Sequence, residues 1–115
     1  MSSISLIIPT YNRQETVLKT LDFLKLQNCE DYEVIVVDQT KLTHPQLVKF
    51  KFEDSTVKYK YSHIEEIGLP NARNIGADIA SNDILIYIDD DVSLLGVVLY
   101  RMVDWFVDSV SNSYL

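Results

Sequence analysis

Two kinds of apolar spacing alternate along this chain, and this alternation restricts the fold more than any other feature of the sequence. Residues 4–8 (Ile-Ser-Leu-Ile-Ile) and 33–38 (Glu-Val-Ile-Val-Val-Asp) are short, nearly continuous apolar runs, typical of strands buried on both faces of a parallel sheet. The residues between them carry one apolar stripe at helical spacing: Val17, Leu18, Leu21 and Leu24. Asn12 is expected to cap this helix, with Glu15 as the reciprocal cap. Strand, helix and strand in this order predict a right-handed crossover unit.

The remainder of the chain continues the alternation. A helix is expected to start at residues 43–45 (Thr-His-Pro), because proline is favoured in a first helical turn. Its inward residues would be Leu47, Val48 and Phe50. Residues 57–61 alternate at period two and predict a strand with one face in water. Gly68 then opens another helix, and residues 84–88 form a fourth apolar run.

The third helix has its own apolar side, formed by Ala72, Ile75, Ile79 and Ala80. The order β-α-β-α-β-α-β predicts an α/β domain with a mostly parallel sheet flanked by helices. With 115 residues, of which 47% are hydrophobic, the chain has the size and composition of one domain, residues 1–115.

Charge and composition exclude several classes of function. Acidic residues outnumber basic ones by 17 to 10, which argues against general nucleic-acid binding, and any phosphate ligand would need local help from a metal or a helix end. Cys29 is the single cysteine, so neither an intrachain disulfide nor a multi-cysteine metal site is expected. No signal peptide or membrane-spanning apolar run is apparent, and we expect a cytoplasmic protein.

Polar residues follow three of the predicted strands. They are residues 9–13 (Pro-Thr-Tyr-Asn-Arg), 38–40 (Asp-Gln-Thr) and 89–91 (Asp-Asp-Asp). In open α/β sheets, ligands bind beyond the carboxyl ends of the strands, so these three segments are expected to face one crevice. Arg73, on the helix before the last strand, could reach an anionic group there.

The acidic triplet has two interpretations. Side chains alternate along an extended chain, so Asp89 and Asp91 point to one side and Asp90 to the other. Two converging carboxylates repel each other unless a divalent cation lies between them, and oxygen ligands suit Mg²⁺ or Mn²⁺. Alternatively, the three acids stabilise the amino end of a following helix. The triplet alone does not decide between them.

Four segments together resemble the successive motifs of family 2 glycosyltransferases. They are residues 6–13 (Leu-Ile-Ile-Pro-Thr-Tyr-Asn-Arg), 34–38 (Val-Ile-Val-Val-Asp), 68–77 (Gly-Leu-Pro-Asn-Ala-Arg-Asn-Ile-Gly-Ala) and 85–91 (Leu-Ile-Tyr-Ile-Asp-Asp-Asp). The resemblance covers about residues 4–92. It implies a Rossmann-like GT-A half that binds a nucleotide-diphosphate sugar and transfers the sugar, with inversion, to a saccharide or lipid-linked saccharide acceptor.

The resemblance also implies roles for individual residues. Pro9, Thr10 and Tyr11 would line the nucleoside pocket, and Asp38 would contact the base or ribose. Arg73 would lie near the sugar or diphosphate. The implied donor-binding set is Pro9, Thr10, Tyr11, Arg13, Asp38, Gln39, Arg73, Asp89 and Asp90. The implied ligands of a Mn²⁺ or Mg²⁺ ion are Asp89 and Asp91.

Each of these residues also has an ordinary structural explanation. Pro9 could end a strand, Tyr11 could be a core aromatic, Asp38 could cap a turn, and Arg73 could form a surface ion pair. A turn or close packing explains Gly68 and Gly76 better than a phosphate loop does. We interpret His44 and His63 as structural or surface residues, and Tyr59 and Tyr61 as core or edge packing.

The sequence departs from the family pattern in two places. Gln39-Thr40-Lys41 follows Asp38 where an acid or Asn followed by Gly-Ser is common, and a Gln side chain can still bond a base edge. The chain also ends soon after Asp91, and no residue can be nominated as the general base of an inverting transfer. A catalytically inert domain that binds nucleotide or another subunit is therefore the alternative function. Residues 92–107 are apolar on almost every side of a helix, which predicts an oligomer contact or an end covered by a longer chain.

Overall fold

The computed structural model describes residues 4–26, 31–53, 56–65 and 67–90. Within these ranges, seven elements alternate in the predicted order. They are β1 (Ile4–Thr10), α1 (Gln14–Lys25), β2 (Tyr32–Asp38), α2 (Pro45–Lys49), β3 (Val57–His63), α3 (Leu69–Ile79) and β4 (Ile84–Tyr87). The prediction of an α/β domain is confirmed. Asp91 and the apolar segment 92–107 lie outside the described residues.

The four strands form one parallel sheet in the order β3-β2-β1-β4. Ile7 lies opposite Ile35 on one side and Tyr87 on the other, so β4 joins the free edge of β1. Thr10 lies opposite Asp38, and Asp38 lies opposite His63, which brings the carboxyl ends of the first three strands level.

The sheet has an apolar core on each face. Leu6 and Ile8 of β1 belong to one core together with the apolar stripe of α1. Ile7, on the opposite side of the same strand, belongs to a second core with Ala72 and Ile75 of α3. The predictions of two-sided burial for the first two strands and of an inward stripe on the third helix are both confirmed.

Strand order and helix placement create a switch point between β1 and β4. The chain moves from β1 outward to β2 and β3, then returns through α3 to the other side of β1. α1 and α3 consequently lie on opposite faces of the sheet and leave a crevice beyond the carboxyl ends of β1 and β4. Ligands of open α/β sheets bind at such a point.

The predicted cap of α1 is wrong. The backbone of Asn12 has a φ of 56°, whereas an N-cap residue needs an extended backbone. The helix begins at Gln14, and the preceding Arg13 makes no side-chain cap. The backbone N–H of Asn12 instead donates to Thr40 Oγ1 at 2.7 Å, which ties the turn after β1 to the turn after β2.

The short helix α2 starts where the sequence predicts. His44 caps it, because its Nδ1 accepts a hydrogen bond from the backbone N–H of Gln46 at 3.2 Å. The Nε2 atom of His44 contacts Glu15 Oε1 at 2.9 Å, so Glu15 does not form the expected reciprocal cap of α1. Leu47 is fully buried as expected, but Val48 is 50% exposed and the prediction that it faces inward is wrong.

A buried acid that the sequence analysis did not single out joins the amino ends of the strands. Glu33 is 1% exposed and pairs with Lys60 Nζ at 3.0 Å, while its Oε1 accepts bonds from Ser5 Oγ and the Ser81 backbone N–H. Burial alone would raise the pKa of Glu33, but the hydrogen bonds from Ser81, Lys60 and Ser5 outweigh it and lower that pKa. Lys60 also donates to the carbonyl of Ile79 at the end of α3.

Candidate functional site

A crevice of about 630 Å³ lies at the switch point. It is lined by Pro9, Thr10, Tyr11, Arg13, Gln39, Ile67, Gly68, Arg73, Tyr87, Ile88, Asp89 and Asp90. Every described residue of the implied donor-binding set is therefore present except Asp38. The sequence analysis missed the apolar rim of the crevice, where Ile67 is 63% and Tyr87 41% exposed. For Tyr87, the position at the end of β4 was the available indication.

The two described acids of the triplet have different environments. Asp90 is 7% exposed, and its carboxylate accepts a hydrogen bond from Thr10 Oγ1 at 3.0 Å and pairs with Arg13 Nη1 at 3.2 Å. Its backbone carbonyl accepts from Thr20 Oγ1 at 2.6 Å. Asp89 is exposed in the crevice, and its carboxylate bonds to no other described residue. The fold thus ties Asp90 to β1 and α1 and leaves Asp89 available to a ligand.

Asp38 is fully buried and does not line the crevice. Its carboxylate accepts hydrogen bonds from Gln14 Nε2 (2.9 Å), the Thr40 backbone N–H (2.9 Å) and the Tyr61 hydroxyl (2.6 Å). Burial would raise the pKa of Asp38, but the bonds from Tyr61, Gln14 and Thr40 hold it below its ordinary value. Burial and the Asp38 charge raise the pKa of Tyr61. In this structure Asp38 joins α1, β2 and β3, and a contact to a base or ribose stays a prediction.

The histidines and the other β3 tyrosine also belong to the scaffold, as predicted. His63 Nε2 contacts the carbonyl of Thr40 at 2.6 Å, and the hydroxyl of Tyr59 donates to the carbonyl of Leu47 at 2.9 Å. These contacts hold the turn after β2 and the short helix α2 against β3. None of the three side chains of His44, His63 and Tyr59 lines the crevice.

Gln39 lies in the wall of the crevice and is 6% exposed. Its Nε2 donates to the carbonyl of Thr10 at 3.3 Å, and its Oε1 accepts from the backbone N–H of Gly68 at 2.7 Å. The side-chain amide therefore connects the end of β1 to the residue that precedes α3.

Arg73 projects from α3 into the same crevice. Its guanidinium lies 5.5 Å from the ring centroid of Tyr87, a cation-π distance. Among the described residues no carboxylate pairs with Arg73, so the alternative of a surface ion pair finds no partner there. The positive charge of Arg73 faces the crevice that also contains the exposed Asp89.

The described acids of the crevice form no complete metal site by themselves. Within residues 4–26, 31–53, 56–65 and 67–90, no group of three His, Cys, Asp or Glu side chains is placed to hold an ion. The pair Asp89 and Asp91 stays a prediction, because Asp91 lies outside them. Asp89, the described member of this pair, fits a divalent cation, because its carboxylate is a hard oxygen donor without a described partner.

Within the described part of the chain, no helix combines the length and apolar character needed to cross a bilayer.

The strand order and the crevice define an open α/β domain with a crevice at its topological switch point, where domains of this class bind ligands. The sequence model of the family described as glycosyl transferase family 2 matches residues 5–113. The chain belongs to this family, and its fold is the GT-A fold.

Two curated relatives show the extent of the similarity. A GalNAc(5)-diNAcBac-PP-undecaprenol beta-1,3-glucosyltransferase of Campylobacter jejuni is 31% identical over 101 residues, which cover 86% of this chain and 33% of the relative. A validoxylamine A glucosyltransferase of Streptomyces hygroscopicus subsp. limoneus is 37% identical over 93 residues, which cover 77% and 20%. The chain thus spans a third or less of the length of these relatives.

Solved structures of TarS from S. aureus have a similar fold. TarS 1-349 in complex with UDP has a TM-score of 0.64 and 28% identity, over 77% of this chain and 27% of TarS. The corresponding complex with UDP-GlcNAc has a TM-score of 0.60 and 26% identity, with 26% of TarS covered.

Proposed function

We propose that this chain binds the nucleotide-diphosphate sugar donor of a metal-dependent, inverting glycosyl transfer in the switch-point crevice. The observation that carries the proposal is the arrangement of charges there. Arg73 and Asp89 face the crevice without a described ionic partner, whereas the neighbouring Asp90 is paired with Arg13. A donor diphosphate and a cation are ligands that complement these two side chains.

The nucleoside is assigned to the carboxyl end of β1 and the turn that follows it. Pro9, Thr10 and Tyr11 line one wall, and Tyr11 is 44% exposed, so its ring is available to a base. UDP is the first nucleotide to test, because structurally similar TarS has been crystallised with UDP and UDP-GlcNAc.

The diphosphate is assigned to Arg73 and to a Mn²⁺ or Mg²⁺ ion held by Asp89 and Asp91. Two carboxylates leave coordination positions for water and phosphate oxygens. When bound, such a cation stabilises the negative charge that develops on the leaving diphosphate. The acidity of the whole chain makes this local positive charge necessary, since the net charge is −7.

Inversion requires a base on the face of the sugar opposite the leaving diphosphate. We assign no described residue to this role. Donor binding and sugar transfer are therefore tested separately, and binding without transfer would support the alternative of an inert nucleotide-binding domain.

Thermal unfolding with UDP, CDP, GDP and ADP, each with and without Mn²⁺, tests donor binding. A ligand at about one hundred times its dissociation constant adds about 2.7 kcal/mol, which raises the Tm of a domain this size by about 10 °C or more. No metal-dependent rise with any nucleotide would refute the proposal. Incubation with a labelled UDP-sugar then tests transfer or hydrolysis.

The variant Asp89→Asn is expected to lose the metal-dependent part of the Tm rise and to keep the Tm of the free protein. Asp91→Ala is expected to behave in the same way. Asp83→Asn is the matched control, because Asp83 is also exposed but lies before the amino end of β4. It should keep the full response to UDP and Mn²⁺.

A further inference from the structure

The side chain of Gln39 connects β1 to the start of α3 by two hydrogen bonds. The backbone N–H of Gln39 also donates to the carbonyl of Thr10, at 2.9 Å. The oxygen and the nitrogen of the side-chain amide are thus both hydrogen-bonded within the protein. Gln39 is also buried, with 6% of its surface exposed.

The orientation of this amide is determined by its two partners. The carbonyl of Thr10 can only accept a hydrogen bond, and the backbone N–H of Gly68 can only donate one. A flipped amide would place its oxygen against an oxygen and its nitrogen against a donor. The Gln39 side chain therefore has one stable orientation in this wall.

The bond to Gly68 is made at a sensitive point of the chain. Gly68 precedes α3 with a φ of 156° and a ψ of 123°, a conformation that side-chain-bearing residues rarely adopt. Having no side chain, it cannot cap the helix itself. Before Gly68 in the sequence, the chain is attached to β2 by the backbone hydrogen bond from the Ile64 N–H to the Asp38 carbonyl, at 2.9 Å.

α3 carries Arg73 within its first two turns, so the position of its first residue determines where the guanidinium lies. We propose that Gln39 is a positioning residue: its amide fixes the start of α3 against the end of β1 and thereby holds Arg73 in the crevice. This differs from the sequence-based expectation that Gln39 bonds to a base edge. The part that concerns nucleotides rests on the proposed function.

The first test uses the free protein and needs no ligand. Gln39→Leu keeps the size of the side chain and removes both hydrogen bonds, so the Gly68 amide is expected to exchange its hydrogen about tenfold faster. The Ile64 amide should be unchanged. Gln39→Glu retains an acceptor for Gly68 and should keep most of its protection. Equal Gly68 exchange in the wild type and in Gln39→Leu would overturn the proposal. If Gln39→Leu fails to fold, Gln39→Ala, which also removes both hydrogen bonds, decides it by the same comparison.

The second test measures nucleotide affinity in the presence of Mn²⁺. Gln39→Leu should weaken UDP, CDP, GDP and ADP by one common factor, and Arg73→Ala should cost less affinity in that background than in the wild type. A changed order of base preference would show that Gln39 contacts the base and would overturn the proposal. Gln46→Leu, at an exposed Gln on α2, is the matched control and should change neither readout.

The two proposals fail in different ways. If the wild-type chain binds no nucleotide, the proposed function is wrong, while the exchange of the Gly68 amide still decides whether Gln39 fixes the start of α3. If nucleotide binds but the order of base preference changes when residue 39 is replaced, only the positioning role is wrong.

Discussion

Replacement of Gly76 by alanine is expected to destabilise this domain, although alanine is the better helix former. Gly76 lies inside α3 and faces Ile7 of β1. A Cβ added there would overlap Ile7 Cγ2, and it would lie 3.4 Å from Cγ1 and 3.5 Å from the Cβ of the same residue. The absence of a side chain at position 76 thus sets how closely α3 approaches the sheet, as the interpretation of close packing predicts.

The expected magnitude follows from two opposing terms. An extra methyl group in a packed core costs about 1–3 kcal/mol, and Ile7 cannot move away easily because it is fully buried on a strand paired on both sides. A Gly-to-Ala change inside a helix gains about 1 kcal/mol. The overlap involves a branched side chain rather than a flexible end, so the cost should lie in the upper part of its range, at about 2–3 kcal/mol, and we expect a net loss of about 1–2 kcal/mol for Gly76→Ala.

Urea unfolding followed by far-ultraviolet circular dichroism measures this difference. Ile7→Ala removes the atom that the new methyl group would meet, at its own cost of about 2–5 kcal/mol. In that background, Gly76→Ala should become stabilising. Asn74→Ala, at an exposed position of the same helix, is the control for helix propensity and should be neutral or slightly stabilising. A Gly76→Ala protein as stable as the wild type, or a penalty that persists beside Ala at position 7, would refute the reasoning.

Three further substitutions test the buried network and the crevice. Glu33→Gln should cost about 1–3 kcal/mol at neutral pH by leaving Lys60 without its charged partner. Folding lowers the pKa of Glu33, so the stabilisation by its carboxylate is present above the ordinary value of 4.5 and is lost as the pH falls through the folded value. Below pH 4.5, the urea midpoint of Glu33→Gln should therefore fall less steeply than that of the wild type. Thr10→Val should cost about 1–3 kcal/mol, measured by urea unfolding, because it removes the donor to the buried Asp90. Arg73→Met should weaken UDP about tenfold or more and reduce the salt dependence of binding, with the free energy of unfolding nearly unchanged.

Each of these variants has a matched control. Glu65→Gln, at an exposed acid, should leave the change of the urea midpoint below pH 4.5 as it is in the wild type. Thr10→Ser keeps the hydroxyl group and should recover most of the loss seen with valine. Lys58→Met, at an exposed cation of β3, should not alter UDP affinity. Equal effects of a variant and its control would contradict the role given to that side chain.

Much of the fold could be predicted because the relevant information is local. The continuous apolar runs before Pro9 and Asp38 require burial on both faces, which only a sheet covered by helices provides. The order of strands and helices then follows from the alternation of strand-like and helix-like apolar spacing along the chain. Two predictions failed because a tertiary contact replaced a local one: Asn12 has a left-handed backbone and bonds to Thr40, and Glu15 pairs with His44.

The location of the candidate site could also be predicted, because polar residues after parallel strands meet at one edge of the sheet. The roles within the site could not. Three acids with similar sequence contexts have three different environments: Asp38 is buried among donors, Asp90 is paired with Thr10 and Arg13, and Asp89 is open to the crevice. These environments depend on side chains that are distant in sequence.

Spacing and turn chemistry act over a few residues, so the sequence was enough to predict the α/β class, the strand and helix order, the family motifs and the edge of the sheet where the crevice lies. Tertiary structure alone decided that β4 lies beside β1 and that Gln39 reaches Gly68. It also decided which acid stays free, because Thr10 and Asp90 are 80 positions apart and only the packed sheet brings them within 3.0 Å. A carboxylate is available to a ligand when the fold provides it with no internal donor, and that property is set by neighbours in space.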